Sequence, residues 1–262
     1  MINFKFGISI PNITSNFTDI FKIIDSRTFS GVELKGNIFK NKEIPNLLKL
    51  YRLEFLNLFN LVEPSILSNI NEQPNNVRQE LIKFIYSSIK DYKYFNIQNF
   101  SLDFGFSDIK HKKQSTLCKN NFLHQLYYPI YKSKKYICMP LTIPDNNLKV
   151  NIKYLSNAIK ELMLNNFRLC INIFPHELKK KIDPNTLFKD FIFDLQLLRI
   201  IYEPTTGNHL TESLLKFWLD PLIKLNFKGP IIICPNVNNL ELLGEEIERI
   251  GAIIKKLKKQ NT

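Results

Sequence analysis

The chain has 262 residues, of which 44% are hydrophobic and 23% charged, an ordinary globular balance that allows a sizeable buried core. No stretch reaches the ~18 uncharged apolar residues of a membrane span, and MINFKFGISIP lacks the long apolar run and small-residue cleavage site of a secretory leader, so a cytoplasmic protein is expected. The net charge of +12 and pI near 9.4 have two readings: an anionic or nucleic-acid partner, or the Lys, Asn and Ile bias of A/T-rich codons.

In chain order, short apolar or β-branched runs recur at Phe4–Ile10, Gly31–Lys35, Leu53–Phe59, Asn99–Phe104, Tyr136–Leu141, Phe167–Ile173, Leu197–Tyr202 and Pro230–Cys234. Runs of this length and composition suit strands buried on both faces of a parallel sheet. Amphipathic segments lie between them. Asn16–Asp25 carries Phe17, Ile20, Phe21 and Ile24 at helical spacing, and Asn76–Tyr92 carries Val77, Leu81, Phe84, Ile85 and Ile89. Ile152–Asn165 and Thr211–Leu225 read the same way, the latter with an N-cap at its start and Pro221 predicting a kink or break. Leu240–Lys258 is a final helix with glutamates early and lysines late, as the helix dipole favours. The polar tail Lys255–Thr262 is expected to fray.

Strands alternating with helices over this length predict one (β/α)₈ barrel domain spanning 1–262. The competing open doubly wound sheet lacks its phosphate loop, since the chain contains neither GxGxxG nor GxxxxGK[ST]. Cys118, Cys138, Cys170 and Cys234 form no CxxC pair. They read as reduced thiols, the last three as small buried hydrophobes inside apolar runs.

Three stretches carry a resemblance: FGISIP at the first strand, DIFKIID leading into FSGVELKG with Glu33 in the second, and LCINIFPHE at the sixth. Together they resemble the xylose-isomerase-like barrels, a group of sugar-phosphate isomerases and epimerases with endonuclease IV-type relatives. The resemblance spans nearly the whole chain. It implies a (β/α)₈ fold and, in active members, a divalent metal held by Glu, Asp, His and Glu from the ends of the later strands. This sequence departs from that pattern. YICMPLTIP offers no Glu, the sixth strand carries Asn172 where Asp is expected, LLRIIYEP has no His, and PIIICPN ends in Cys234 and Asn236. A divalent metal is the cofactor the group implies, but no metal ligand is assigned here and no other cofactor is expected. With four histidines in the chain, an endonuclease IV-type ligand set is not expected either.

The active face of such a barrel lies at the strand C-termini. That filter selects Glu33, Asp103, His176, Glu203 and His209 as catalytic candidates, and Lys35, Asn57, Asn172, Lys110 and Lys112 as ligand-binding ones. Glu33 stands in an otherwise apolar strand and needs a partner, and Lys35, two residues on and on the same face, is the expected one. The bland alternative is a structural ion pair. Asp103 reads as a ligand for a substrate hydroxyl or as a strand-end cap. His176 reads as catalytic or as a solvated loop residue. Glu203 and His209 flank the turn-rich PTTGN and would make an acid–base pair if that loop folds inward.

Basic clusters at 110–113 and 179–181 fall on the same face and suit a small polar or phosphorylated ligand. Aromatics do not interleave with them as a single-strand platform requires, so nucleic acid is not the expected partner. Three functions follow in order of expectation: a sugar isomerase- or epimerase-like barrel with an altered site, an inactive barrel serving as a binding or partner subunit in a homo- or hetero-assembly, and a binder of anionic ligands or nucleic acid.

Overall fold

A computed structural model describes residues 2, 4–10, 17–36, 43–70, 72–104, 113–143, 157, 160, 166–178 and 182–260. Eight parallel strands close on themselves in sequence order: β1 (Phe6–Ser9), β2 (Gly31–Lys35), β3 (Glu54–Phe59), β4 (Asn99–Ser101), β5 (Tyr136–Ile143), β6 (Phe167–Ile173), β7 (Leu195–Tyr202) and β8 (Ile231–Pro235). Pairing of β1 with β8 completes the ring, with Phe6 opposite Ile231 and Ile8 opposite Ile233. Each strand falls on a run picked out by composition, with ends shifted by up to three residues. The chain therefore has the (β/α)₈ barrel that its alternation predicts.

The helices around the barrel are α1 (Phe17–Ile23), α2 (Ile44–Leu50), α3 (Pro64–Ser68), α4 (Asn75–Asp91), α5 (Lys113–Ser133), α6 (Pro175–Leu178), α7 (Pro184–Phe191), α8 (Glu212–Lys224) and α9 (Leu240–Gln260). The helical reading of 152–165 lies, apart from 157 and 160, outside the described residues. Helix α7 starts at Asp183, whose carboxylate accepts from the backbone N–H groups of Asn185 and Thr186. Together with the Thr186 hydroxyl and the Asn185 amide, these donors hold its pKa down to about 2. Thr211 caps α8 through Leu214 N–H, as its position predicts.

Two local expectations, a break at Pro221 and a frayed tail, are not met. Pro221 does not break α8, which runs unbroken to Lys224. Its missing N–H removes a single helical bond, and Pro221 is itself buried in the stripe formed by Trp218, Leu219 and Leu222. The tail does not fray before Gln260, because Ile254 and Leu257 are buried. Lys255 also pairs with Asp25 at 2.9 Å, Lys256 with Glu212 at 2.6 Å, and Lys258 donates to the Thr28 carbonyl. The hydrogen bond from Lys255 and the Arg27 backbone N–H hold the Asp25 carboxyl well below the usual carboxylate range.

Along each strand, alternate residues face the helices or the barrel interior. The outer set, including Phe6, Ile8, Val32, Leu34, Ile171 and Ile233, joins the main core beneath the helices. The inner set contains a small apolar plug of Leu56, Cys138, Cys170, Leu197, Ile232 and Cys234. Gly7 makes room for that plug, since a Cβ there would lie 2.6 Å from Leu56 Cδ1 and 2.7 Å from Ile232 Cδ1. The cysteines serve as the small buried residues anticipated, and burial pushes the Cys138 and Cys170 thiols far above their usual pKa.

Candidate functional site

Above the plug, towards the strand C-termini, the interior turns polar. The strand registers set Ser9 beside Glu33, Glu33 beside Asn57, and Asn172 beside Arg199. Glu33 is fully buried, and both of its oxygens are occupied. Oε1 accepts from Ser9 Oγ at 2.8 Å, from Arg199 Nη2 at 2.9 Å and from Arg199 Nε at 3.0 Å. Oε2 accepts from Asn57 Nδ2 at 2.6 Å and from Arg199 Nε at 3.1 Å.

The network continues in both directions. Ser101 Oγ donates to Asn57 Oδ1 at 3.1 Å. Arg199 Nη1 donates to Asn172 Oδ1 at 3.3 Å, and Asn172 Nδ2 donates to Thr142 Oγ1 at 3.2 Å. The Arg199 guanidinium also lies 3.6 Å from the centre of the Phe59 ring. A fork on a carboxylate and a stack on an aromatic face together fix a guanidinium plane, which an ammonium could not match. Seven strands thus contribute to one hydrogen-bonded layer, and Cys234 Sγ approaches Glu33 Oε1 at 3.9 Å from the eighth. Burial pushes the Cys234 thiol up to about 12 against the pull of Arg199, so it stays protonated at neutral pH.

This layer floors a cavity of about 390 Å³ at the barrel mouth. Ser9, Lys35, Arg199 and Asn236 give it polar groups, and Phe59 and Ile201 give it apolar walls. Glu33, Asn57, Asn172 and Lys35 from the sequence-derived set are therefore gathered in or beneath one site. The expected Glu33–Lys35 pair is not formed. Arg199, 166 residues away in sequence, takes the carboxylate instead, and Lys35 is left at the cavity wall with no ion pair among the described residues. Distance in sequence hid this partner. Its signal was nonetheless the same as that of Glu33: one charged residue in an apolar strand, here LLRIIY.

The remaining candidates are dispersed. Asp103 is half-buried just past β4. His176, on α6, and Glu203 border a separate recess of about 100 Å³, which shares Ile201 with the main cavity. Glu203 and His209 do not pair. Glu203 accepts from Asn236 Nδ2 at 3.0 Å, while His209 Nδ1 lies 3.0 Å from Glu246 Oε1. The turn at Pro204–Thr206 ends on Gly207 at φ +77°, and the loop then carries His209 towards α9 rather than back to Glu203. Lys110, Lys112 and the 179–181 cluster lie outside the described residues.

Glu246, Arg249 and Tyr202 form a second buried polar group that sequence reading passed over. Tyr202 Oη donates to Glu246 Oε2 at 2.8 Å, Arg249 donates to both Glu246 oxygens, and Arg249 Nη1 reaches the Leu210 carbonyl at 2.7 Å. This group fastens β7 and the loop before α8 to α9.

Among the described residues, the donors that the later strands bring to the mouth cavity do not fit a divalent cation, His176 and Glu203 facing the separate recess. Thr142, Asn172, Ile201, Cys234 and Asn236 supply no carboxylate and no imidazole, and the carboxylate beneath them is already saturated by a guanidinium. Among the described residues, no three His, Cys, Asp or Glu side chains come together to hold an ion. No helix among them is long and apolar enough to cross a membrane.

No protein-family model and no curated protein matches the sequence. Solved structures do match the fold. The 3-keto-D-glucoside 4-epimerase of E. coli superposes with a TM-score of 0.69 at 11% identity, covering 95% of this chain and 98% of that one. An AP endonuclease, family 2, from Brucella melitensis gives 0.68 at 12% identity, covering 96% and 99%. A xylose isomerase domain protein from Planctomyces limnophilus gives 0.67 at 8% identity, covering 98% and 97%. An epimerase and an endonuclease on one scaffold show that the scaffold does not choose the chemistry. What the geometry and these likenesses establish together is the fold: this chain is a (β/α)₈ barrel, similar in fold to an epimerase, an AP endonuclease and a xylose isomerase domain protein.

Proposed function

We propose that the protein is a sugar-isomerase-like barrel that takes a small polar, sugar-like ligand into the cavity above the Glu33–Arg199 pair, without a metal ion. The observation that carries this reading is the cavity itself, about 390 Å³ at the strand C-terminal face, polar at its floor and part apolar along its walls. Its size falls within the ~300–1,000 Å³ of small-molecule sites. Hydroxyl, amide and cationic groups suit sugar hydroxyls, and Phe59 and Ile201 suit the C–H surface of a small carbohydrate. The epimerase and isomerase-domain likenesses agree with a carbohydrate-sized ligand.

Glu33 in this reading positions Arg199 rather than taking a proton, because its acceptor capacity is filled by Ser9, Asn57 and Arg199. Proton transfer would fall to groups around the adjoining recess, His176 and Glu203. The saturation of Glu33 also favours a second reading, a barrel that binds without turnover.

The test is a titration of the full chain with D-fructose, D-psicose and D-xylose, followed by calorimetry and by thermal unfolding. Saturable binding of at least one sugar is expected. It should be lost in Asn238→Trp, which caps the cavity from an exposed rim position while leaving the melting temperature unchanged. Binding that survives this substitution would move the ligand elsewhere, and no binding by any of the sugars would count against a sugar-like ligand.

A further inference from the structure

Charge in the mouth cavity is unbalanced. Glu33 and Arg199 cancel each other, and both are almost wholly buried, at 1% and 7% side-chain exposure. Lys35 lines the same cavity and makes no ion pair among the described residues. Glu203 borders the neighbouring recess and is engaged by the Asn236 amide. Among the described residues in and beneath the cavity, the Glu33–Arg199 pair is neutral overall and Lys35 carries a positive charge without an ion pair, an arrangement that attracts anions.

The guanidinium also has a donor to spare. Arginine offers five N–H groups. Nε spends its one on Glu33, Nη2 spends one on Glu33 Oε1, and Nη1 spends one on Asn172 Oδ1. With Cys234 also a partner of the guanidinium, at least one N–H on the terminal nitrogens is left without a partner among the described residues. Arg199 itself lines the cavity, with its plane fixed by the Glu33 fork and the Phe59 ring. An N–H on a rigid, charged plane, with the Lys35 ammonium on the wall of the same cavity, makes a receptor for a planar or tetrahedral oxyanion.

We propose that Arg199 and Lys35 form an oxyanion seat, and that the ligand of the mouth cavity is a sugar-like molecule bearing one carboxylate or phosphate. This rests on the sugar-like reading above and narrows it to an acidic member of that class. Glu33 is the positioning residue: it clamps the guanidinium and keeps the pair neutral so that Lys35 supplies the net charge. Asn172 holds the other side of the same group.

The test uses three six-carbon probes that share a polyol chain: D-sorbitol, D-gluconate and D-sorbitol 6-phosphate. Each is titrated into the full chain by calorimetry at low ionic strength. At least one anion should bind ten or more times more tightly than sorbitol, with a margin that shrinks as salt rises. The gluconate and phosphate arms tell a carboxylate from a phosphate. Lys35→Gln should reduce the margin about tenfold, the scale of one lost charge-assisted contact, and Lys35→Arg should restore most of it, with an unchanged melting temperature for both. Sorbitol binding as tightly as the anions, or a margin indifferent to Lys35→Gln, would overturn the oxyanion seat while leaving a neutral polyol site intact. Binding by none of the three probes would overturn both the seat and the sugar-like reading.

Discussion

Glu33 and Glu246 are both buried carboxylates held by arginine, yet they are built differently. Glu33 draws its donors from three strands spread round the barrel, and its arginine lies 166 residues away. Glu246 draws its arginine from its own helix, three residues on, with Tyr202 and His209 completing the shell. At Glu33 both partners are almost wholly buried, Arg199 meeting solvent only through the cavity it lines, whereas Arg249 is about a third exposed and His209 about half. The contrast separates two uses of a buried charge. The Glu246 group is a clip between a loop and a helix, formed from neighbours once the chain is in place. The Glu33 group can exist only when the barrel is closed, and it faces a cavity.

The largest effect should come from breaking the buried pair. Arg199→Met leaves the Glu33 carboxyl in the barrel with Ser9 and Asn57 but no counter-ion to offset its burial, and removing one partner of a buried pair costs roughly 3–5 kcal/mol. Urea unfolding at neutral pH measures it. Adding Glu33→Gln to Arg199→Met should recover much of the loss, because the stranded carboxyl is then gone. A loss below ~1 kcal/mol in the single variant would mean that water reaches Glu33.

Arg249→Met should cost less, about 1–2 kcal/mol, because Tyr202 and His209 still serve Glu246 and the arginine was partly hydrated at the start. Equal losses in the two arginine variants would erase the distinction between clip and site. The clip should also show in acid. Burial alone would raise the Glu246 pKa, but hydrogen bonds from Arg249 and Tyr202 outweigh it and hold the carboxyl below its ordinary range. A lowered folded pKa means stability that is present above the unfolded value of ~4.3 and is lost as pH falls through the folded value. Glu246→Gln should therefore flatten the decline in unfolding free energy between pH 5 and 3. A decline as steep as in the parent chain would assign the acid sensitivity to other carboxylates, with Asp25 the first to examine.

The same contrast explains what was legible in the sequence. Strands read well because a parallel barrel strand is buried on both faces and shows as an unbroken apolar run. Glu33 read well because it interrupts such a run. Arg199 interrupts one too, in LLRIIY, but a lone arginine in a strand does not name its counter-ion. Nothing local links positions 33 and 199; only barrel closure does. Ser9, Ser101 and Thr142 carry no pattern of their own, since small hydroxyls at strand ends are common. Glu246 was legible in principle: it falls on the buried stripe of Leu243, Ile247, Ile250 and Ile254, where a charge needs a partner. It was absorbed instead into the acidic start of a dipole-matched helix. The Glu203–His209 pairing failed because one left-handed glycine redirects the loop, a backbone effect that side-chain spacing does not encode.

The smallest expected effect is the response to divalent cations, and it bears on the site half of the comparison. Anything that binds the folded chain alone stabilises it by RT ln(1 + [L]/Kd), about 2.7 kcal/mol at a hundredfold excess over Kd. For Mn²⁺, Mg²⁺ or Zn²⁺ to gain this in the barrel, Glu33 would have to surrender its guanidinium, and the remaining neutral donors, Asn57, Asn172 and Thr142, could not replace the lost charge. Millimolar Mn²⁺ or Mg²⁺, and Zn²⁺ at micromolar levels, should therefore leave the melting temperature within about 1 °C of the EDTA-treated chain, well short of the several degrees that ~2.7 kcal/mol would give. Arg199→Met opens the opposite possibility, since Glu33 then has oxygens to offer and a charge to neutralise. A cation that stabilises this variant but not the parent chain would show that Arg199 holds the place of an ion. A cation that stabilises the parent chain equally would place a metal among residues beyond those described and remove the argument for a guanidinium-centred site.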